Sequence, residues 1–79
     1  MNETKPTEQG DFKESLDVIA TMLNKGNSLT KLGQYVEAIE CFDNVIQLDP
    51  ESYNAWHNKG KILETLGKSR EAIVCYDKA

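Results

Sequence analysis

The side chains on which nucleophilic or metal chemistry would fall are His57, Cys41, Cys75 and the serines Ser15, Ser28, Ser52 and Ser69. A general base needs its nucleophile within hydrogen-bond reach, and usually a third group to orient it. His57 is the only histidine. It has no Cys or Ser within local reach and stands in no recognisable motif. The four serines fall where helix faces or helix caps would put them. Structural zinc needs closely spaced ligand pairs such as C-x-x-C. The two cysteines stand thirty-four residues apart and His57 does not complete a pair. No glycine-rich phosphate loop is present. These residues therefore predict no catalytic centre, no metal and no cofactor, so the chain is expected not to be an enzyme.

The spacing of the cysteines belongs to a larger pattern. Asn24-Lys25-Gly26, Leu29, Leu32-Gly33, Glu37-Ala38-Ile39, Cys41 and Asp43 recur without a gap at Asn58-Lys59-Gly60, Leu63, Leu66-Gly67, Glu71-Ala72-Ile73, Cys75 and Asp77. A fixed period of twenty to fifty residues marks an array of stacked repeats. In such a stack Cys41 and Cys75 lie about one repeat apart, beyond the ~7 Å Cα separation a disulfide spans. They are read as small apolar fillers on a helix.

The chain has 79 residues and a net charge of −4, with 39% hydrophobic and 28% charged residues. That length gives one small domain, near the lower limit for a core without staples. No apolar run approaches the ~18 residues of a membrane helix. The first ten residues are polar and carry no apolar signal core. The expected location is cytoplasmic, with no membrane partner. Phosphate neutralisation by Lys and Arg supplies most non-specific nucleic-acid affinity. An acidic chain without a basic stripe is not expected to bind nucleic acid.

Residues 1–10 hold Pro6 and Gly10 and no large apolar residue after Met1, and are expected to form a disordered tail. Asp11-Phe12-Lys13-Glu14 has capping-box spacing. From there Phe12, Leu16, Ile19 and Leu23 step by four, three and four along one helix face. Val18, Met22 and Leu29 widen it. This helix is predicted to end at about Lys31, before Leu32-Gly33, where glycine supplies the left-handed residue. A second helix is predicted over about 35–48, stopped by Asp49-Pro50. A third is predicted over about 52–65, and a fourth from Ser69, with Ser69 as its N-cap. No run of single alternation predicts a strand.

These residues resemble the tetratricopeptide repeat, whose pattern is W-x2-L-G-x2-Y, then A-x3-F, then P. The second copy reads Trp56-x2-Lys59-Gly60-x2-Leu63, then Ala72-x3-Tyr76. The first reads Met22-x2-Lys25-Gly26-x2-Leu29, then Ala38-x3-Phe42, then Pro50. The resemblance covers about 19–79. It implies an all-α fold of antiparallel helix–turn–helix repeats stacked as a short right-handed α-solenoid. Repeat one spans about 19–52 with a helical extension over 11–18, and repeat two, incomplete, about 53–79. Gly26, Gly60, Ala38 and Ala72 are expected to let the paired helices approach, with Trp56, Phe42 and Tyr76 filling the remaining space. Lys25 and Lys59 replace the family's leucine. Their stems are expected to cover apolar surface while the ammonium groups reach water.

The resemblance also implies a non-catalytic protein–protein interaction module. In the family the first helix of each pair lines a concave groove. Carried over, the groove candidates are Leu23, Asn24, Asn27 and Lys31 from repeat one, and His57, Asn58 and Lys61 from repeat two. Residues 19–31 and 53–65 together carry a charge of +3, and residues 35–49 carry −4. The expected partner is therefore another protein or peptide with acidic character or a free carboxylate. Asn27 and Asn58 match the family's clamp for chaperone tails, but Leu23 stands where that clamp has a lysine. The alternative function is self-assembly into a homodimer or larger homo-oligomer through the last helices, with Trp56, Ile62, Ile73 and Tyr76 as interface candidates. At the other end, Phe12 and Leu16 are expected either to cover the first repeat or to form a contact site.

Overall fold

The computed structural model describes the backbone of residues 6–79 and the side chains of residues 15–79. Its elements are four helices, α1 (Pro6–Lys31), α2 (Tyr35–Leu48), α3 (Tyr53–Thr65) and α4 (Ser69–Lys78). No strand occurs among the described residues. Short connections turn each helix back on the one before it. α1 packs on α2 and α3 packs on α4, while α2 meets α3 between the two hairpins and α1 also touches α3.

The turn inside each hairpin is the same structure made twice. After α1, Gly33 has φ +79°, its N–H donates to Thr30 O at 3.0 Å, and Gln34 N–H donates to Leu29 O at 2.9 Å. After α3, Gly67 has φ +82°, its N–H donates to Glu64 O at 3.0 Å, and Lys68 N–H donates to Leu63 O at 2.8 Å. This pair of bonds satisfies carbonyls that the helix end would otherwise leave open. Gln34 and Lys68 then serve as N-caps of α2 and α4, and neither makes a side-chain cap bond. Ser69 is therefore the first residue of α4 rather than its expected cap, because the tight turn already uses Lys68 at that position.

The link between hairpins is built differently. Asp49 ends α2, its carboxylate accepts Glu51 N–H at 3.2 Å, and Ser52 Oγ accepts Ala55 N–H at 3.2 Å as the N-cap of α3. Pro50 lies in this link and not inside α3. Its carbonyl accepts the Trp56 indole N–H at 2.7 Å.

α1 begins at Pro6, five residues before Asp11. Asp11 thus lies within the helix and not at its start, and residues 6–10 are helical where a disordered tail was expected. Proline suits the first turn of a helix, where its missing N–H costs nothing. Residues 1–5 and the side chains of Asp11, Phe12 and Glu14 fall outside the described part. Leu16 is 50% exposed and so does not seal the first repeat.

The core runs through the middle of the stack. Ala38, Phe42, Val45, Ala55 and Ile62 form one buried cluster, flanked by Ile19, Met22, Leu23, Leu29 and Ile39. Leu63, Ala72 and Cys75 form a second, flanked by Ile39, Trp56 and Tyr76. Cys41 and Cys75 are both buried free thiols, in keeping with their reading as apolar fillers. A Cβ on Gly26 would stand 2.8 Å from the Phe42 ring, and one on Gly60 would stand 2.7 Å from the Tyr76 ring. A side chain at either place would require the aromatic ring of the facing helix to shift.

Candidate functional site

The face shared by α1 and α3 carries two adjoining depressions. The first, of about 320 Å³, is lined by Ala20, Leu23, Asn24 and Asn27 of α1 and by Asn54 and Asn58 of α3. The second, of about 230 Å³, is lined by Asn27, Thr30, Lys31, Asn58 and Lys61. Asn27 and Asn58 lie between them, and the Asn58 amide N–H donates to Asn27 Oδ1 at 3.2 Å. The helical period explains the set. Positions 20, 23, 24, 27 and 31 fall on one stripe of α1, and 54, 58 and 61 on one stripe of α3.

The surface is graded along its length. One end has Leu23 and Ala20 among four asparagines. The other ends in the Lys31 and Lys61 ammonium groups. Thr30 and Thr65 do not offer their hydroxyl protons to this surface. Thr30 Oγ1 donates to Gly26 O at 2.7 Å and Thr65 Oγ1 donates to Lys61 O at 3.0 Å. Both bond back along their own helix. The donors this surface presents are the lysines and the asparagine amides, of which Asn58 gives one N–H to Asn27.

Six of the seven groove candidates come together here: Leu23, Asn24, Asn27, Lys31, Asn58 and Lys61. His57 lines neither depression. Its ring stacks on Tyr53 with centroids 5.3 Å apart and approaches Tyr76 at 5.8 Å. Its aromatic neighbours thus lie on α3 itself and on α4, away from α1. Sequence reasoning missed this aromatic group, together with the Tyr76 hydroxyl donating to Glu64 Oε1 at 2.8 Å. The Glu64 carboxylate holds the Tyr76 phenol above its usual range. Burial pushes the Cys75 thiol up, with the Lys59 ammonium pulling the other way.

The interface candidates divide. Ile73 is 58% exposed, and Trp56 and Tyr76 are partly covered. Ile62 is only 1% exposed and belongs to the core between α2 and α3. It cannot serve an interface, because α2 of the same chain already covers it. Lys59 also differs from expectation. Its Nζ does not simply reach water but sits 2.7 Å from Asp43 Oδ1 of α2 and 5.9 Å from the centre of the Trp56 ring. Lys25, its counterpart, is exposed.

Among the described residues no group of three or more His, Cys, Asp or Glu side chains could hold a metal. No described helix is long and apolar enough to cross a membrane. A family model described as the TPR repeat matches residues 26–67, more than half of the chain. No curated protein matches it. The matched segment runs from the glycine under Phe42 to the glycine that closes α3, and so takes in the complete α2–α3 interface. With two hairpins of the same turn chemistry, two glycine–aromatic contacts and this match, the chain belongs to the tetratricopeptide-repeat family.

Proposed function

We propose that this chain is a non-catalytic binding module that holds an extended peptide segment of a partner protein along the α1–α3 face. Repeats of this family mediate protein–protein interaction. The observation that supports the specific reading is the gradation of the face, from Leu23 among Asn24, Asn27, Asn54 and Asn58 to Lys31 and Lys61. An extended peptide has unpaired backbone donors and acceptors at every residue. Asparagine amides match both kinds. Leu23 takes an apolar side chain, and the two lysines take acidic side chains or a terminal carboxylate.

Self-assembly has less support. Ile62 is unavailable, and what remains is the exposed Ile73 with the partly covered Trp56 and Tyr76.

The test is a fluorescence-anisotropy titration of labelled acidic and neutral peptides of equal length. Acidic peptides are expected to bind more tightly, by a margin that shrinks with added salt. Combined Lys31→Ala and Lys61→Ala substitutions should remove that margin. Equal affinity for both peptides would sink the reading.

A further inference from the structure

The two depressions of the α1–α3 face are parts of one surface, because Asn27 and Asn58 line both. Helix geometry sets the distance between them. On α1 the first is lined by residues within 20–27 and the second by residues within 27–31. The midpoints of those stretches are roughly five to six residues apart, which is ~8 Å at ~1.5 Å per residue. On α3 the stretches are 54–58 and 58–61. Their midpoints are ~5 Å apart by the same rise. The two depressions thus lie ~5–8 Å from centre to centre.

An extended chain rises ~3.3 Å per residue and sends successive side chains to opposite faces. Neighbours i and i+1 point opposite ways, as do i and i+3. Residues i and i+4 share a face but lie ~13 Å apart, beyond both depressions. Residues i and i+2 share a face at ~7 Å, which matches. The depressions differ in chemistry: Ala20 and Leu23 lie in the first, Lys31 and Lys61 in the second.

We infer that this groove, if it holds an extended peptide as proposed above, selects a linear motif in which one residue separates an apolar side chain from an acidic one. The apolar side chain enters the first depression and the carboxylate the second. The side chain between them points to solvent, and its backbone crosses Asn27 and Asn58. The bond joining these two uses one N–H of Asn58 and a lone pair of Asn27 Oδ1. Among the described residues it leaves the Asn27 amide donors and the Asn58 carbonyl to meet that backbone. Lys31 also stands in the last turn of α1, where a cation offsets the helix dipole. That role is indifferent to the spacing of residues in a bound peptide, so spacing is the property to test.

The probes are peptides acetylated and amidated so that no chain end carries charge. Each has a single leucine and a single aspartate in a glycine–serine background. They differ only in the separation of those two residues, from one to four places, and are made in both orders. Anisotropy competition on the full chain is expected to favour separation two by about fivefold over one and three, the yield of one exposed ion pair. Lys31→Ala combined with Lys61→Ala should level the series. Ala20→Gln sets a polar side chain into the first depression from an exposed position. It should level the series too, while each aspartate peptide still binds more tightly than its asparagine counterpart. Far-UV circular dichroism checks that the variants stay folded. A series without spacing dependence, or one peaking at another separation, would overturn the motif. In that case a retained preference for aspartate over asparagine would leave the binding of acidic peptides standing. Equal binding of aspartate and asparagine peptides, or binding of none, would overturn both.

Discussion

Gly26 and Gly60 occupy equivalent positions, yet their substitutions should differ. Each alanine gains about 1 kcal/mol of helix propensity over glycine. Each also drives a methyl group into a ring, at 2.8 Å for Phe42 and 2.7 Å for Tyr76. Overpacking of a closed core costs about 1–3 kcal/mol. Phe42 is fully buried and has no solvent to swing into, so Gly26→Ala is expected to destabilise by up to about 2 kcal/mol net. Tyr76 is partly exposed and can swing outward, so Gly60→Ala should stay within about 1 kcal/mol of the parent. Urea unfolding midpoints of the two variants check this, and equal losses would show the Tyr76 ring to be as fixed as that of Phe42. The Tyr76–Glu64 bond adds a pH dependence. Glu64 raises the folded-state pKa of Tyr76, so the native chain holds that proton more tightly than the unfolded one. The resulting stabilisation is complete below the ordinary tyrosine value of 10.0 and is lost as pH rises through the raised folded value. Tyr76→Phe should therefore lower stability at neutral pH and flatten its decline in strongly alkaline solution, as read from unfolding curves on either side of the tyrosine range.

At the scale of elements, the two hairpin turns hold the architecture, and backbone conformation is what they require. Gly33 has φ +79° and open space around the position of a Cβ, so a substitution there tests conformation alone. A residue with a Cβ pays roughly 1–2 kcal/mol in the left-handed region, and asparagine is better tolerated there than alanine. Gly33→Ala should cost about that much, and Gly33→Asn clearly less. Thermal unfolding of the pair separates this from packing, since a steric cause would make the larger asparagine worse. These turns were legible in the sequence because Leu-Gly recurs at a fixed offset after each apolar stripe. The start of α1 was less legible. Pro6 and Asp11 are both acceptable helix openers, and local chemistry does not choose between them. Ser69 likewise has the chemistry of a cap, but the preceding turn had already committed Lys68 to that position.

For the whole molecule, stability in stacked repeats is a sum of local terms and nearest-neighbour interfaces. Among the described residues α1 and α2 each border two other helices and α3 borders three, whereas α4 packs along α3 alone. The α4 end should therefore open first. The buried thiols give a direct readout, because Cys41 sits in the middle of the stack and Cys75 on its last helix. With a thiol reagent under native conditions, Cys75 is expected to be modified faster than Cys41, even though burial raises its pKa and works against reaction. Equal rates would indicate that the chain opens only as one unit.

The sequence by itself determined the period, the four helices, the hairpin turns, the paired glycine–aromatic contacts and the stripe that became the α1–α3 face. Each of these is set by residues close in the chain or repeated at a fixed offset. The tertiary structure decided which of several similar apolar or charged side chains meets a neighbour. Ile62 and Ile73 are both aliphatic residues on amphipathic helices, and only the presence of α2 beside one and not the other buries the first and exposes the second. His57 and Lys59 turn away from their expected surroundings for the same reason. The stacked ring of Tyr53 and the tilted ring of Tyr76 flank one, the carboxylate of Asp43 holds the other, and two of those three partners come from a different helix. Contacts of that kind depend on how α2, α3 and α4 lie against one another, which a helical period within each segment does not encode.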